Sequence, residues 1–408
     1  MLGKKKILIG LLLVSIIVSP AAAAEWPMFH ENPEHNGYVT ESATFCPCVW
    51  IFKTDGALQS SPAIYNEVLY FGSMDNNIYA VKMDNGSKKW SYNTSGPLIS
   101  SPAVLNGTLF IGSLDHYLYS LNSENGTLEW KFKTDNGIES SPAVDNGLVF
   151  VGSNDNYLYA IFTEDGSLSW KFKTEKPVVS SPTIVNGSVY VGSDDNKIYA
   201  LDSNDGSEIW EYESADRVRS SPAYYNDTIY VGSDDGQLYA LNATTGNLNW
   251  KYYIGNPIRS SALIEPLNNN IFVGSDDGNM TCLDTRTGEL KWSFKTGSAV
   301  RSTPALLDNK ITFGSNDGTV YVLNKYTGKE EWSYNPGYII FNSPMSSSPA
   351  VYGNTIYIGS DDGYLYALNA DKKEGPTSIF AYYITGIAIF VVAILVLLRI
   401  LRGRSKKK

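Results

Sequence analysis

The sequence predicts an all-β fold: an eight-bladed β-propeller of four-stranded antiparallel blades, followed by one C-terminal transmembrane helix. Three observations carry this. The string Gly-Ser-x-Asp recurs at Gly72, Gly112, Gly152, Gly192, Gly232, Gly274, Gly314 and Gly359, spaced by 40, 40, 40, 40, 42, 40 and 45 residues. Units of about 40 residues, each with four short strands, are the mark of a propeller. Eight tryptophans keep the same period: Trp50, Trp90, Trp130, Trp170, Trp210, Trp250, Trp292 and Trp332. Finally, residues 379–398 are 20 positions without a charge. As a helix they would span about 30 Å, the thickness of a bilayer core.

Residues 1–24 begin with Lys4, Lys5 and Lys6, continue through an apolar run and end in Ala22-Ala23-Ala24. This reads as a secretory signal peptide cleaved at an A-x-A site, with an uncleaved anchor as the alternative. Residues 25–48 form a lead-in. In an oxidising compartment its Cys46-Pro-Cys48 is a candidate for a small disulfide.

Residues 49–370 hold the blades. In the unit 180–210, Ser-Ser-Pro opens the first strand and Asn186-Gly187 supplies a hairpin turn. A Val-Tyr-Val-Gly-Ser strand follows, then Ile198 to Leu201, then a turn ending in Gly206 and a last strand from Trp210. In the fourth strands Trp130-Lys131-Phe132-Lys133 and Trp170-Lys171-Phe172-Lys173 alternate apolar and charged residues. One face is therefore buried and one solvated. Trp50 precedes the first complete unit, and the last unit ends at Asn369 without a tryptophan. Residues 49–54 are thus expected to supply the outer strand of the last blade and latch the ring.

A linker, 371–378, leads to the membrane helix, 379–401, and a basic tail, 402–408. The tail and helix end carry Arg399, Arg402, Arg404, Lys406, Lys407 and Lys408. Positive charge stays cytoplasmic, so the propeller is expected outside the cell membrane, on the extracellular or periplasmic side, tethered by a single pass. Setting aside the nine cations of the two ends leaves 23 Lys+Arg against 42 Asp+Glu, a net of −19. Such a surface disfavours nucleic acid as a partner. With 3 Cys and 3 His, a disulfide-dense scaffold is excluded and a zinc site is short of ligands.

The stretch from Ala200 through Gly206 to Trp210, repeated at Ala240, Gly246 and Trp250 and at Ser120, Gly126 and Trp130, resembles the tryptophan-docking motif of quinoprotein-type (PQQ-like) propellers. The opening Trp26-Pro-Met-Phe29 resembles the lead-in of the same family. The resemblance covers about 26–370 and implies the fold. For activity it implies two branches: PQQ-dependent dehydrogenases and cofactor-free scaffolds such as the BamB-type assembly factor. The dehydrogenases carry a Ca²⁺-bound quinone and usually an adjacent Cys pair. This chain has no such pair and its loops are trimmed, so neither PQQ nor Ca²⁺ is expected. The BamB type is held by a lipid on an N-terminal Cys, which is lacking here near the cleavage site.

Features shared by all copies are expected to serve every blade. The repeated carboxylates, such as Asp195 and Asp235, should bond turn amides rather than hold Ca²⁺. The tryptophans should pack between blades, and Cys282 should be a small buried hydrophobe. Candidate sites lie where copies differ. The residue before Ser-Ser-Pro or its equivalent is Arg in three successive blades, Arg219, Arg259 and Arg301, with Arg217 close by. The family resemblance puts this position near the central channel. The four arginines are expected to bind an anionic ligand or a partner's acidic segment; the alternative is pairing with neighbouring acids such as Glu139 or Asp216. Tyr338, Ile339, Ile340 and Phe341 form an apolar patch in the longest loop, either a channel plug or a partner contact. Sequons at Asn85, Asn93, Asn106, Asn125, Asn186, Asn226, Asn242 and Asn279 are candidate N-glycosylation sites.

The expected function is that of a cell-surface, membrane-anchored binding or protein-interaction scaffold, without catalysis, whose partners are other envelope or surface proteins or an anionic ligand. The alternatives are a PQQ-dependent dehydrogenase and a BamB-like envelope assembly factor.

Overall fold

Each Asn-Gly turn sets the register of its blade. In a computed structural model of the chain, which describes residues 50–336 and 342–371, Asn106 and Gly107 both take positive φ, 51° and 84°. That is the two-residue turn whose twist matches the flanking strands. It joins Ala103–Leu105 to Thr108–Gly112. The same construction in blade 4 joins Thr183–Val185 to Ser188–Gly192, followed by Lys197–Asp202 and Glu208–Glu213. Eight such four-stranded antiparallel sheets make up the described chain.

The ring closes as expected. Trp50–Lys53 pairs antiparallel with Tyr364–Asn369, matching Trp50 to Ala367 and Lys53 to Tyr364. The first described strand is therefore the outer strand of blade 8. Phe52 packs edge-on to Phe71 and Tyr79 of blade 1, so the latch also seals the next interface.

The core lies between blades. Tyr70, Ile78 and Ala80 of blade 1 pack against Val104, Leu109 and Ile111 of blade 2. Burying each large aliphatic side chain is worth about 1.5–3 kcal/mol, and the repeat multiplies this around the ring. The outer strands show the expected alternation: in Leu128–Lys133, Trp130 and Phe132 are half-buried between exposed Glu129, Lys131 and Lys133. Lys131 Nζ sits 4.2 Å from the Tyr117 ring centroid, where its charge faces the ring's negative π surface.

Every described tryptophan docks on the next blade. Trp90 Nε1 donates to Ser123 O at 2.9 Å, and Trp50 Nε1 to Met83 O at 2.9 Å. The Trp90 ring lies against Gly126, where an added Cβ would come within 2.7 Å of it. Gly126 also has φ +73°, so it is required both by the docking ring and by its own backbone. The last docking bond, Trp332 Nε1 to Ala370 O at 2.6 Å, uses the end of the described chain.

The expected signal peptide, lead-in, membrane helix and tail, together with Cys46, Cys48, Tyr338, Ile339, Ile340 and Phe341, all lie outside the described residues. Among the described residues no helix is long and apolar enough to cross a membrane.

Candidate functional site at the channel mouth

The repeated aspartates are structural, as expected. Asp195 Oδ1 accepts the amide of Lys197 at 3.0 Å, while Oδ2 accepts the Glu175 amide at 3.0 Å and the Tyr199 hydroxyl at 2.8 Å. One carboxylate thus ties its own turn to the segment entering from the previous blade. Burial first, then Asp195, pushes the Tyr199 phenol well above its ordinary pKa. Cys282 is fully buried, and burial raises its thiol to about 12.

The two serines of Ser-Ser-Pro have separate tasks. The first anchors its own blade: Ser60 Oγ accepts the Gly72 amide at 2.9 Å, and Ser140 Oγ the Gly152 amide at 3.1 Å. The second joins neighbours. The Ser61 amide donates to Ser101 Oγ, Ser101 to Ser141, Ser141 to Ser181, Ser181 to Ser221, and Ser221 to Ser261. Ser261 then donates to Thr303 Oγ1, Thr303 to Ser348 Oγ, and Ser348 back to Ser61 Oγ. These bonds, 2.9–3.1 Å long, form a closed ring around the axis. Its members are only 3–8% exposed.

Arg219, Arg259 and Arg301 line the same axial cavity of about 160 Å³ as the hydroxyl ring. They take the alternative of pairing with neighbouring acids, though these acids are neither Glu139 nor Asp216. Arg219 Nε and Nη2 donate to Asp194 at 2.8 and 2.6 Å; Arg259 to Asp234 at 3.0 and 3.2 Å; Arg301 to Asp276 at 2.8 and 3.0 Å. In each pair the acid is the variable residue of Gly-Ser-x-Asp in the preceding blade. Asp194 and Asp276 respectively hold the Arg219 and Arg301 guanidinium groups above their usual pKa. Arg217 does not line the cavity; its Nη2 lies 3.1 Å from Asp234, and its Nε 3.9 Å from Asp216. Glu139 instead accepts from Asn154 Nδ2 at 2.9 Å. The expected wall is therefore a ladder of ion pairs on blades 4–7. Each fork uses Nε and Nη2, and Arg259 Nη1 lies 3.7 Å from Asp276.

Two features were missed in the sequence. Asp361 takes the ladder position in blade 8, but its partners are neutral: Gln59 Nε2 at 3.5 Å and Ser346 Oγ at 3.4 Å. Its Oδ1 is buried without a partner, and burial raises its pKa. In the 42-residue unit, buried Glu265 lies 3.5 Å from Lys325 and accepts from Asn268 and Asn270. The extra length of that unit was the available signal.

Asn85, Asn106, Asn125, Asn186 and Asn226 are exposed in turns. The side-chain amides of Asn93, Asn242 and Asn279 donate to Asn77, Asp227 and Asp277. Among the described residues no group of three or more His, Cys, Asp or Glu is placed to hold a metal.

A family model described as outer membrane protein assembly factor BamB matches residues 48–139, and one described as the beta-propeller of beta-alanine-activating enzyme matches 185–383. Together with the eight-bladed fold, these matches support a PQQ-like, BamB-like propeller. BamB from Moraxella catarrhalis is 20% identical, with a TM-score of 0.66 over 78% of this chain and 98% of that one. Quinohemoprotein alcohol dehydrogenase from Comamonas testosteroni is 13% identical, with a TM-score of 0.74 over 86% and 81%. The computationally designed Ika8 protein is 16% identical, with a TM-score of 0.69 over 78% and 97%. At these identities the likeness is one of fold. Among curated proteins none matches.

Proposed function

We propose that this protein is a membrane-anchored, non-catalytic interaction module of the cell surface, whose channel mouth receives an acidic segment of an envelope partner. The carrying observation is the ladder of Arg219, Arg259 and Arg301 on Asp194, Asp234 and Asp276. It presents fixed charge on a rigid frame, which favours specificity more than raw affinity. The repeated Asp and Trp side chains are already committed to joining blades, which fits a binding surface better than an arrangement of reactive groups.

The exit of the chain supports the orientation. Tyr364–Asn369 runs away from the mouth, and Asp371 meets Lys310 at 2.7 Å and Asn354 at 2.6 Å beside first-to-second-strand turns. An anchor at 379–401 would follow a linker of a few residues, at most about 3.5 Å each. The mouth would then face away from the bilayer. On that reading the exposed sequon asparagines are sites for glycans where the host has the machinery.

A photo-crosslinking residue at Ile99 or Val179, both in the cavity lining, should capture a partner in intact cells, and one at Gly147 on the opposite face should not. Capture from Gly147 alone would overturn the assignment. Dye-linked alcohol oxidation after adding PQQ and Ca²⁺ would instead favour the dehydrogenase reading.

A further inference from the structure

We propose that the axial cavity is a binding site for one small monovalent anion of the halide class. Every hydroxyl of the axial ring already accepts a backbone amide. Among the described residues none of these O–H groups donates to a protein acceptor, although each ring residue is more than nine-tenths buried and lines the cavity. A buried hydroxyl proton needs an acceptor. Accepting an amide also polarises the O–H and makes it a better donor. The fold thus gathers eight polarised donors around one axis.

The sign of the occupant follows from the rest of the lining. Arg219, Arg259 and Arg301 belong to it, whereas their partners Asp194, Asp234 and Asp276 do not. The carboxylates of Glu139 and Asp361 at the other side of the mouth are likewise outside it. Because the carboxylates take the Nε and Nη2 edges, the Nη1 groups of Arg219 and Arg301 keep donors to spare. A cation would meet hydroxyl protons and guanidinium donors, with no carboxylate among the lining residues. An anion meets hydroxyl donors and positive charge together. The cavity of about 160 Å³ is the volume of roughly five waters. It accommodates a halide.

Bromide is the probe, since it can be located by anomalous scattering. Crystals of the full chain grown in sodium bromide should show an anomalous peak on the axis, within reach of the hydroxyl ring. Crystals in rubidium gluconate should show none there. In solution, bromide should raise the melting temperature above that in gluconate of equal ionic strength. The paired changes R219Q/D194N, R259Q/D234N and R301Q/D276N remove charge while leaving hydrogen-bonding amides in both places. Each should weaken bromide binding about tenfold, the loss of roughly one charge-assisted hydrogen bond. If the triple-pair variant does not fold, the single pair R219Q/D194N carries the test. A missing axial bromide peak, a rubidium peak in its place, or affinity unchanged in the folded variants would overturn the proposal. These results are independent of the cellular crosslinks that test the partner reading.

Discussion

The amide of Ser348 donates to the hydroxyl of Ser61 at 2.9 Å, across 287 positions of sequence. This bond closes the axial ring, as the pairing of Trp50–Lys53 with Tyr364–Asn369 closes the outer one. The propeller is therefore fastened at two radii, and deleting residues 1–54 should remove only the outer fastening. The edge Tyr364–Asn369 would lose its partner, and blade 1 its Phe52 contacts to Phe71 and Tyr79. We expect a clear fall in melting temperature and fast amide exchange in blade 8, with blades 3–5 still protected. Uniform protection across all blades, as in the intact chain, would show that the latch contributes nothing.

Tryptophan docking predicts unequal costs at two positive-φ glycines. At Gly107, φ +84°, a methyl group meets nothing within 4 Å; at Gly126, φ +73°, it meets the Trp90 ring at 2.7 Å. Gly107→Ala should cost about 1 kcal/mol through backbone conformation alone. Gly126→Ala should cost about 2–4 kcal/mol because overpacking adds to that strain. Denaturant midpoints measure the difference, and equal costs would refute docking at Gly126.

The ion-pair ladder predicts coupling between Arg259 and Asp234. The Asp234 side chain is 2% exposed and the Arg259 side chain 25%. Arg259→Gln leaves the carboxylate to Arg217, at 3.1 Å. The cost should be about 1–3 kcal/mol, below that of a fully buried pair because Arg259 is partly solvated. Adding Asp234→Asn should recover much of it. A double-mutant cycle with no coupling would detach the two residues.

The buried phenols predict alkaline instability. Burial pushes Tyr70 and Tyr230 to about 12. Burial and Asp195 move Tyr199 in the same direction. The unfolded chain releases these protons near pH 10. Stability is therefore unaffected by them below pH 10 and falls as pH rises beyond it. Unfolding curves between pH 8 and 11.5 should show this fall, and Tyr199→Phe should make it shallower. A flat profile would mean that these phenols are ionised as easily in the fold as outside it.

Asp361 predicts a gain. Burial raises its pKa, and its Oδ1 is buried without a partner. The ionised carboxyl therefore opposes folding at neutral pH. Asp361→Asn should raise stability at pH 7 by up to about 1 kcal/mol, and the gain should shrink toward pH 4 as the native carboxyl takes up a proton. A loss at pH 7 would mean that the charge itself is needed.

The sequence by itself determined the number of blades, the latch strand, and the parts played by Asp195, Trp90 and Cys282. These depend on what lies within one unit or recurs at a fixed distance, and a period of 40 residues displays both. Only the tertiary structure decided the partners of the arginines. Arg219 finds Asp194 25 positions earlier, on the neighbouring blade, a distance fixed by how blades stack and invisible as a local pattern. The second serine of Ser-Ser-Pro is the sharper case. Its neighbour Ser60 turns its hydroxyl to the Gly72 amide, while the Ser61 hydroxyl accepts the Ser348 amide; one residue along an extended chain reverses the direction of the side chain. Which of the two hydroxyls faces the axis is set by closing the ring.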